Sequence, residues 1–158
     1  MAKGSIVIQL NRTDSQDNHF KDLVRLLDAD LAERDGKDHS FYARYNKISL
    51  IKNVVIAYED SQAVGCGAFK EFAPSIVEIK RMYTLPEHRG KGIARAILYE
   101  LENWARDLGY EQCILETGKR QPEAIYLYQK AGYTSTANYG QYVGIDNSVC
   151  FSKQIATL

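Results

Sequence analysis

The chain is poor in residues that would mark a specialised class. Only three cysteines occur in 158 residues, Cys66, Cys113 and Cys150. They are odd in number, far apart and form no C-x-x-C, which argues against a disulfide framework or a dithiol motif. Each lies in an apolar, strand-like run, so reduced and buried packing residues are expected. The three histidines, His19, His39 and His88, are scattered among polar residues. None pairs with another at metal-ligand spacing, so no metal site is expected. Charge of one sign is also missing: 20 Lys+Arg balance 20 Asp+Glu. Without a basic excess or a cationic helix, nucleic acid and membrane surfaces are not expected partners. No apolar run approaches a transmembrane span and no signal peptide opens the chain, so a cytoplasmic location is expected. Internal repeats, low-complexity tracts and linkers are absent too.

What is present suits one domain over residues 1–158: 45% of the chain is hydrophobic, enough for a single core. Its organising stretch runs through residues 75–109. Residues 75–85 read as a strand, with Ile76, Val77, Ile79, Met82 and Tyr83 supplying β-branched, apolar or aromatic character. Pro86 ends it, having no N–H for a ladder. Arg89-Gly90-Lys91-Gly92-Ile93-Ala94 follows, and a helix opens at once. Ile93, Ala94, Ile97, Leu98, Leu101, Trp104, Ala105 and Leu108 recur at helical spacing, and Gly109 suits the left-handed residue after the helix. A glycine-rich turn opening a helix presents free backbone N–H groups and the positive end of the helix dipole, an anion site suited to a phosphate or pyrophosphate. Gly90 and Gly92 carry no side chain to hold a ligand off the backbone, and Arg89 and Lys91 add positive charge. The competing reading is a tight strand-to-helix turn alone. A dinucleotide turn of the G-x-G-x-x-G kind would need glycine at position 95, where Arg95 stands, with Glu116 as the downstream acid.

Before this stretch, residues 5–10 alternate as a first strand, Asp17 or Asn18 can cap a helix, and Phe20, Leu23, Val24, Leu27 and Leu31 carry that helix to about Glu33. Residues 34–47 show no clean period and suggest a loop with a short helix near 41–45. Residues 53–59 and 63–72 form a hairpin across the polar turn 59–62, and Gly65 and Gly67 suggest a bulge. After the long helix, residues 111–117 form a strand, making a right-handed βαβ crossover with a parallel neighbour. Pro122 opens a short helix with Ala124, Ile125, Tyr128 and Ala131 on one face. Tyr133 begins another strand, residues 138–147 form a tyrosine-bearing loop, and residues 148–154 form the last strand. The expected class is α/β (α+β): a mixed, mostly antiparallel sheet with one parallel crossover, flanked by helices.

Two segments carry a family resemblance. Arg89-x-x-Gly92-x-Ala94 resembles the R/Q-x-x-G-x-G/A turn of the GNAT superfamily of acyl-CoA N-acyltransferases, and Ala124-Ile125-Tyr126-Leu127-Tyr128-Gln129-Lys130-Ala131-Gly132-Tyr133 is similar to its A-x-x-L-Y-x-K-x-G-F/Y segment. The order of elements over residues 5–156 also resembles that family, although the first 50 residues match in pattern only. The resemblance implies that Arg89, Gly90, Lys91, Gly92, Ile93 and Ala94 hold the pyrophosphate of acetyl-CoA as co-substrate. It implies that Met82, Tyr83 and Thr84 offer backbone groups to the thioester and the pantetheine arm, which would lie between Tyr83 and Thr117. Where many relatives have Asn against the pantetheine, this chain has Gln121, followed by Pro122.

The resemblance also makes Tyr128 a proton donor to the departing thiolate. The chemistry is sound, since a phenol with pKa near ~10 is protonated at pH 7. The bland alternative is a core tyrosine; Tyr126 is expected to point elsewhere. Glu78 resembles the acidic residue that helps several relatives deprotonate the amine; its alternative is a solvent-facing strand residue, and Glu116 is the weaker candidate. The expected reaction is N-acetyl transfer from acetyl-CoA to a primary amine, of a small molecule in preference to a protein, by direct attack in a ternary complex. A non-catalytic acyl-CoA binding module and an NAD-dependent oxidoreductase are the competing functions. Exposed strand edges permit a homodimer.

Overall fold

The computed structural model describes residues 7–36 and 51–156. The expected loose end at 1–4 and the expected short helix near 41–45 lie outside the described residues. Seven strands form one sheet in the order β1-β2-β3-β4-β5-β7-β6. They are β1 (Ile8–Thr13), β2 (Asn53–Glu59), β3 (Gln62–Ala73), β4 (Ile76–Thr84), β5 (Gln112–Gly118), β6 (Thr134–Thr136) and β7 (Ser148–Gln154). The helices are α1 (Asn18–Asp35), α2 (Ile93–Asp107) and α3 (Pro122–Lys130). Among the described residues only β4 and β5 pair in parallel; the other neighbours are antiparallel. This is the expected mixed sheet, and the antiparallel β2-β3-β4 meander is unlike the doubly wound sheet of a dinucleotide domain.

The two faces of the sheet are covered differently. On one, Ile93, Ile97, Leu98, Leu101 and Ala105 of α2 pack on Phe69, Val77, Ile79, Cys113 and Leu115. On the other, Phe20, Leu23, Val24 and Leu27 of α1 pack on Val54, Ile56, Cys66 and Ala68. Asp17 caps α1, its carboxylate accepting from the backbone N–H of His19 at 2.9 Å and Phe20 at 3.4 Å. The three cysteines are free and buried, as expected.

Several boundaries differ from the sequence reading. β1 starts later and runs through Asn11 and Arg12, because its ladder with β2 extends from Ile8↔Glu59 to Thr13↔Val54. Arg12 is held over α2 by Glu100 at 2.8 Å and Asp107 at 3.2 Å. Leu108, expected on the core face of α2, is exposed, while Glu102 is buried there. Glu102 accepts from Tyr133 Oη and Lys153 Nζ, each at 2.9 Å, which makes its burial tolerable.

Gly65 and Gly67 let α2 lie close on β3. A Cβ on Gly67 would fall 2.4 Å from Met82 Sδ, 2.8 Å from Ile97 Cγ2 and 2.9 Å from Leu101 Cδ1. Gly67→Ala is therefore expected to overpack the α2 face, at about 1–3 kcal/mol. At roughly 2–4 °C per kcal/mol for a chain of this size, differential scanning calorimetry should show a clear fall in Tm.

Candidate active site

Pairing between β4 and β5 covers only Ile76↔Gln112, Val77↔Cys113 and Glu78↔Ile114. Beyond Glu78 the two strands continue without further pairing to each other, so a wedge opens between them toward Thr84 and Gly118. An unpaired strand edge offers N–H and C=O groups to an extended ligand. The wedge is the floor of a cleft of about 740 Å³, whose walls come from β4, β5, α1, α3 and the start of α2.

The glycine-rich turn closes one end. The chain leaves β4 through a short 3₁₀ turn, Pro86–His88. Gly90 and Gly92 then adopt φ of 80° and 83°, the left-handed region glycine enters without strain. The first backbone bond of α2 runs from Ala96 N–H to Gly92 C=O at 3.0 Å, so the preceding amides have no intrahelical carbonyl. Arg89 braces the turn: its Nε donates to Thr84 O at 2.9 Å and its guanidinium lies 5.5 Å from the centre of the Tyr83 ring. Glu59, at the end of β2, lies against the turn from outside, its carboxylate 2.8 Å from His88 Nδ1 and 3.6 Å from Lys91 Nζ. Thr84 Oγ1 is buried with no hydrogen-bond partner among the described residues, and Thr84 lines the cleft. An orphaned hydroxyl and helix-start amides lining one cleft fit an anionic group such as a pyrophosphate.

Met82, Tyr83, Thr84, Ile93, Ala94 and Gln121 all line the same cleft. Met82 packs its side chain toward Gly67 under α2, so what it can offer a ligand is backbone. Gln121 stands at the N-cap of α3 without making a capping bond, which leaves its amide for other partners.

Tyr128 is 6% exposed and its ring packs against Tyr133 and Phe151. Burial first, and then the Glu116 charge, push its phenol well above the ordinary value. Tyr126 points away from Tyr128, as expected; it is 62% exposed, also lines the cleft and carries Lys130 Nζ 5.5 Å from its ring centre. The half-turn between positions 126 and 128 places them on different faces of α3, yet the cleft wraps the helix far enough to reach both.

Glu78 sits where the wedge opens and is 3% exposed, so the solvent-facing alternative is wrong. Tyr139 Oη donates to its Oε2 at 2.7 Å, and Lys80 Nζ lies 3.9 Å from Oε1. Burial lowers the Lys80 ammonium, while the Glu78 and Glu116 charges pull it back up. Tyr139 is held by edge contacts with Phe72 and Tyr142. Sequence reasoning singled out this loop by its tyrosines but could not assign the partner, which is 61 residues away. Among the described residues no group of His, Cys, Asp and Glu could hold a metal ion.

A seven-stranded mixed sheet, splayed at its one parallel pair and closed by a phosphate-type turn, defines a class of acyl-CoA-dependent transferase fold. The acetyltransferase (GNAT) family matches residues 19–133, and the chain belongs to that family. It is 36% identical over 89 residues to an IAA acetyltransferase of Azospirillum brasilense, covering 56% of this chain and 58% of that protein. It is 35% identical over 101 residues to the uncharacterized N-acetyltransferase YsnE of Bacillus subtilis strain 168, covering 63% of this chain and 67% of that one. The chain thus spans less than two thirds of the length of the first of these relatives. Among solved structures, a Klebsiella pneumoniae protein assigned as an acyl-CoA N-acyltransferase superposes with a TM-score of 0.80 at 27% identity, covering 94% of this chain and 98% of that one. A Salmonella typhimurium structure with its cofactor acetyl-CoA shares the fold, with a TM-score of 0.68 at 19% identity and coverage of 96% and 95%.

Proposed function

We propose that this protein transfers an acetyl group from acetyl-CoA to the primary amine of a small molecule, by direct attack in a ternary complex. The observation that carries the reading is the coincidence of three features in one cleft: the splayed β4-β5 pair, the left-handed Gly90 and Gly92 turn, and the buried Tyr128. Family membership supports the acyl-CoA half of the reaction. Acetyl-CoA supplies the activated thioester; the residues of this chain orient it and manage charge.

In this reading the amides of residues 90–94, with Arg89, hold the pyrophosphate, and Lys91, turned toward Glu59 and off the cleft lining, adds its charge from outside. The free edge of β4 at Met82, Tyr83 and Thr84 and the Gln121 amide position the pantetheine. A backbone N–H of the same edge faces the carbonyl oxygen as it gains charge. Tyr128 donates its O–H to the departing sulfur. Glu78, with the weaker candidate Glu116, receives the ammonium and the proton that must leave before attack. Glu78→Gln is expected to lower kcat/KM by ~10²-fold or more, within the range of general-base removal, with little change in the KM for acetyl-CoA.

A specific observation favours a second reading, a non-catalytic acyl-CoA binding module. The Glu78 carboxylate already accepts from Tyr139, so one of its two oxygens is engaged within the chain before any amine arrives. The two readings separate in a thiol-release assay with acetyl-CoA and a panel of small primary amines. Amine-dependent thiol release supports the transferase. Saturable coenzyme A binding without release on any amine supports the module.

A further inference from the structure

The cleft holds one feature that acyl transfer does not use. Arg81 lines it from the middle of β4 at a φ of 59°, an unusual conformation for a non-glycine residue. The reason is a bulge: the β3-β4 ladder shifts between Cys66 and Ala68, so Gly67 faces an extra residue of β4. The Arg81 side chain is 2% exposed. Its Nη2 donates to Asp28 Oδ1 of α1 at 2.5 Å, and its Nε is buried without a hydrogen-bond partner among the described residues. A strained backbone, a buried guanidinium and an orphaned donor thus coincide in a residue lining the cleft. A pin between β4 and α1 would account for the Asp28 bond alone. It leaves unexplained why a strongly hydrating N–H is buried and unmatched.

The surroundings carry both signs. Glu78, Glu116 and Asp30 line the same cleft as Lys80 and Arg81. Carboxylates suit an ammonium. A guanidinium whose Nε is unmatched beside an Nη2 already held by Asp28 suits one further carboxylate oxygen through a charge-assisted hydrogen bond. We infer that Arg81 is a specificity residue for an acceptor amine that also bears a carboxylate, as an amino acid does, with the amine toward Glu78 and Glu116 and the carboxylate toward Arg81. This inference rests on the transferase reading for its substrate and on the Arg81 geometry for its class.

The test uses matched pairs of amines that differ only by the carboxylate, phenylalanine against phenethylamine and ornithine against putrescine. Two readouts are taken: thiol release from acetyl-CoA, and thermal stabilisation of the protein saturated with coenzyme A. The carboxylate-bearing member of at least one pair is expected to be favoured about tenfold or more in kcat/KM, because a site built around a polar group discriminates against its absence. In Arg81→Gln that ratio is expected to fall to about one. Asp28→Ala removes the acceptor of the pin but keeps the guanidinium, so it should retain the preference; a merely structural role would make the two variants alike and would lower both members of a pair together. Equal use of both members, or a preference that survives Arg81→Gln, overturns the inference while leaving the transferase reading intact. Arginine-dependent stabilisation by the carboxylate amines without thiol release sustains the recognition and sinks the transferase reading alone.

Discussion

Gly92→Val is expected to raise the Kd for acetyl-CoA by ~10²-fold or more while leaving the fold in place. Gly92 is the residue before α2 and sits at a φ of 83°. A β-branched residue is strongly disfavoured there, so the turn must move to accommodate it. A Cβ at this position would meet nothing within 4 Å, so the effect comes through the backbone and not through a clash. The amides that follow would rotate away from the place of the anion. Each charge-assisted hydrogen bond is worth about 1.5–3 kcal/mol, so losing one or two accounts for the expected change. Isothermal titration calorimetry with acetyl-CoA measures it, and a melting curve without ligand checks folding. Binding unchanged from the wild type would mean that these amides do not hold the pyrophosphate.

Tyr128→Phe is expected to lower kcat by ~10²-fold with little change in the KM for acetyl-CoA, the signature of a contact made in the transition state. The raised phenol adds a detail. A thiol ionises near ~8.5, below an ordinary tyrosine and further below this one. Complete proton transfer from Tyr128 to the leaving thiolate is therefore uphill. Donation of a hydrogen bond to the developing charge is the service the geometry favours. The sign for pH follows: because burial and Glu116 raise the Tyr128 value above 10.0, the phenol stays protonated through neutral and moderately alkaline pH. Tyr128 then contributes no loss of kcat up to about pH 10, and steady-state kinetics across pH 6–10 check this. A fall in wild-type kcat above pH 8 that is missing from Tyr128→Phe would contradict it.

Much of this site could be read along the chain because its signals are local. Pro86, Gly90, Gly92 and the spacing from Ile93 to Ala105 describe a strand, turn and helix through nearest neighbours, and the structure places them so. The hairpin at 59–62 was legible for the same reason; Asp60 and Ser61 both take positive φ between β2 and β3. Features set by distant pairing were harder to see. The bulge at Arg81 depends on how β3 and β4 align. The partnership of Glu78 with Tyr139 needs β5 and β7 to bring the last loop over β4. The burial of Glu102 has no local signal, because its partners Tyr133 and Lys153 lie 31 and 51 residues further along the chain. β1 lies later than its alternation suggested, since its limits follow the β2 ladder and not its own apolar residues.

The most direct test of the central claim is the melting temperature with saturating acetyl-CoA, with NAD, and with buffer alone. A ligand that binds only the folded chain stabilises it by RT ln(1 + [L]/Kd), about 2.7 kcal/mol at a hundred times Kd. A clear rise is expected with acetyl-CoA, none with NAD, and a rise much reduced in Gly92→Val. No rise with acetyl-CoA at saturating concentration, or a rise with NAD in its place, would contradict it.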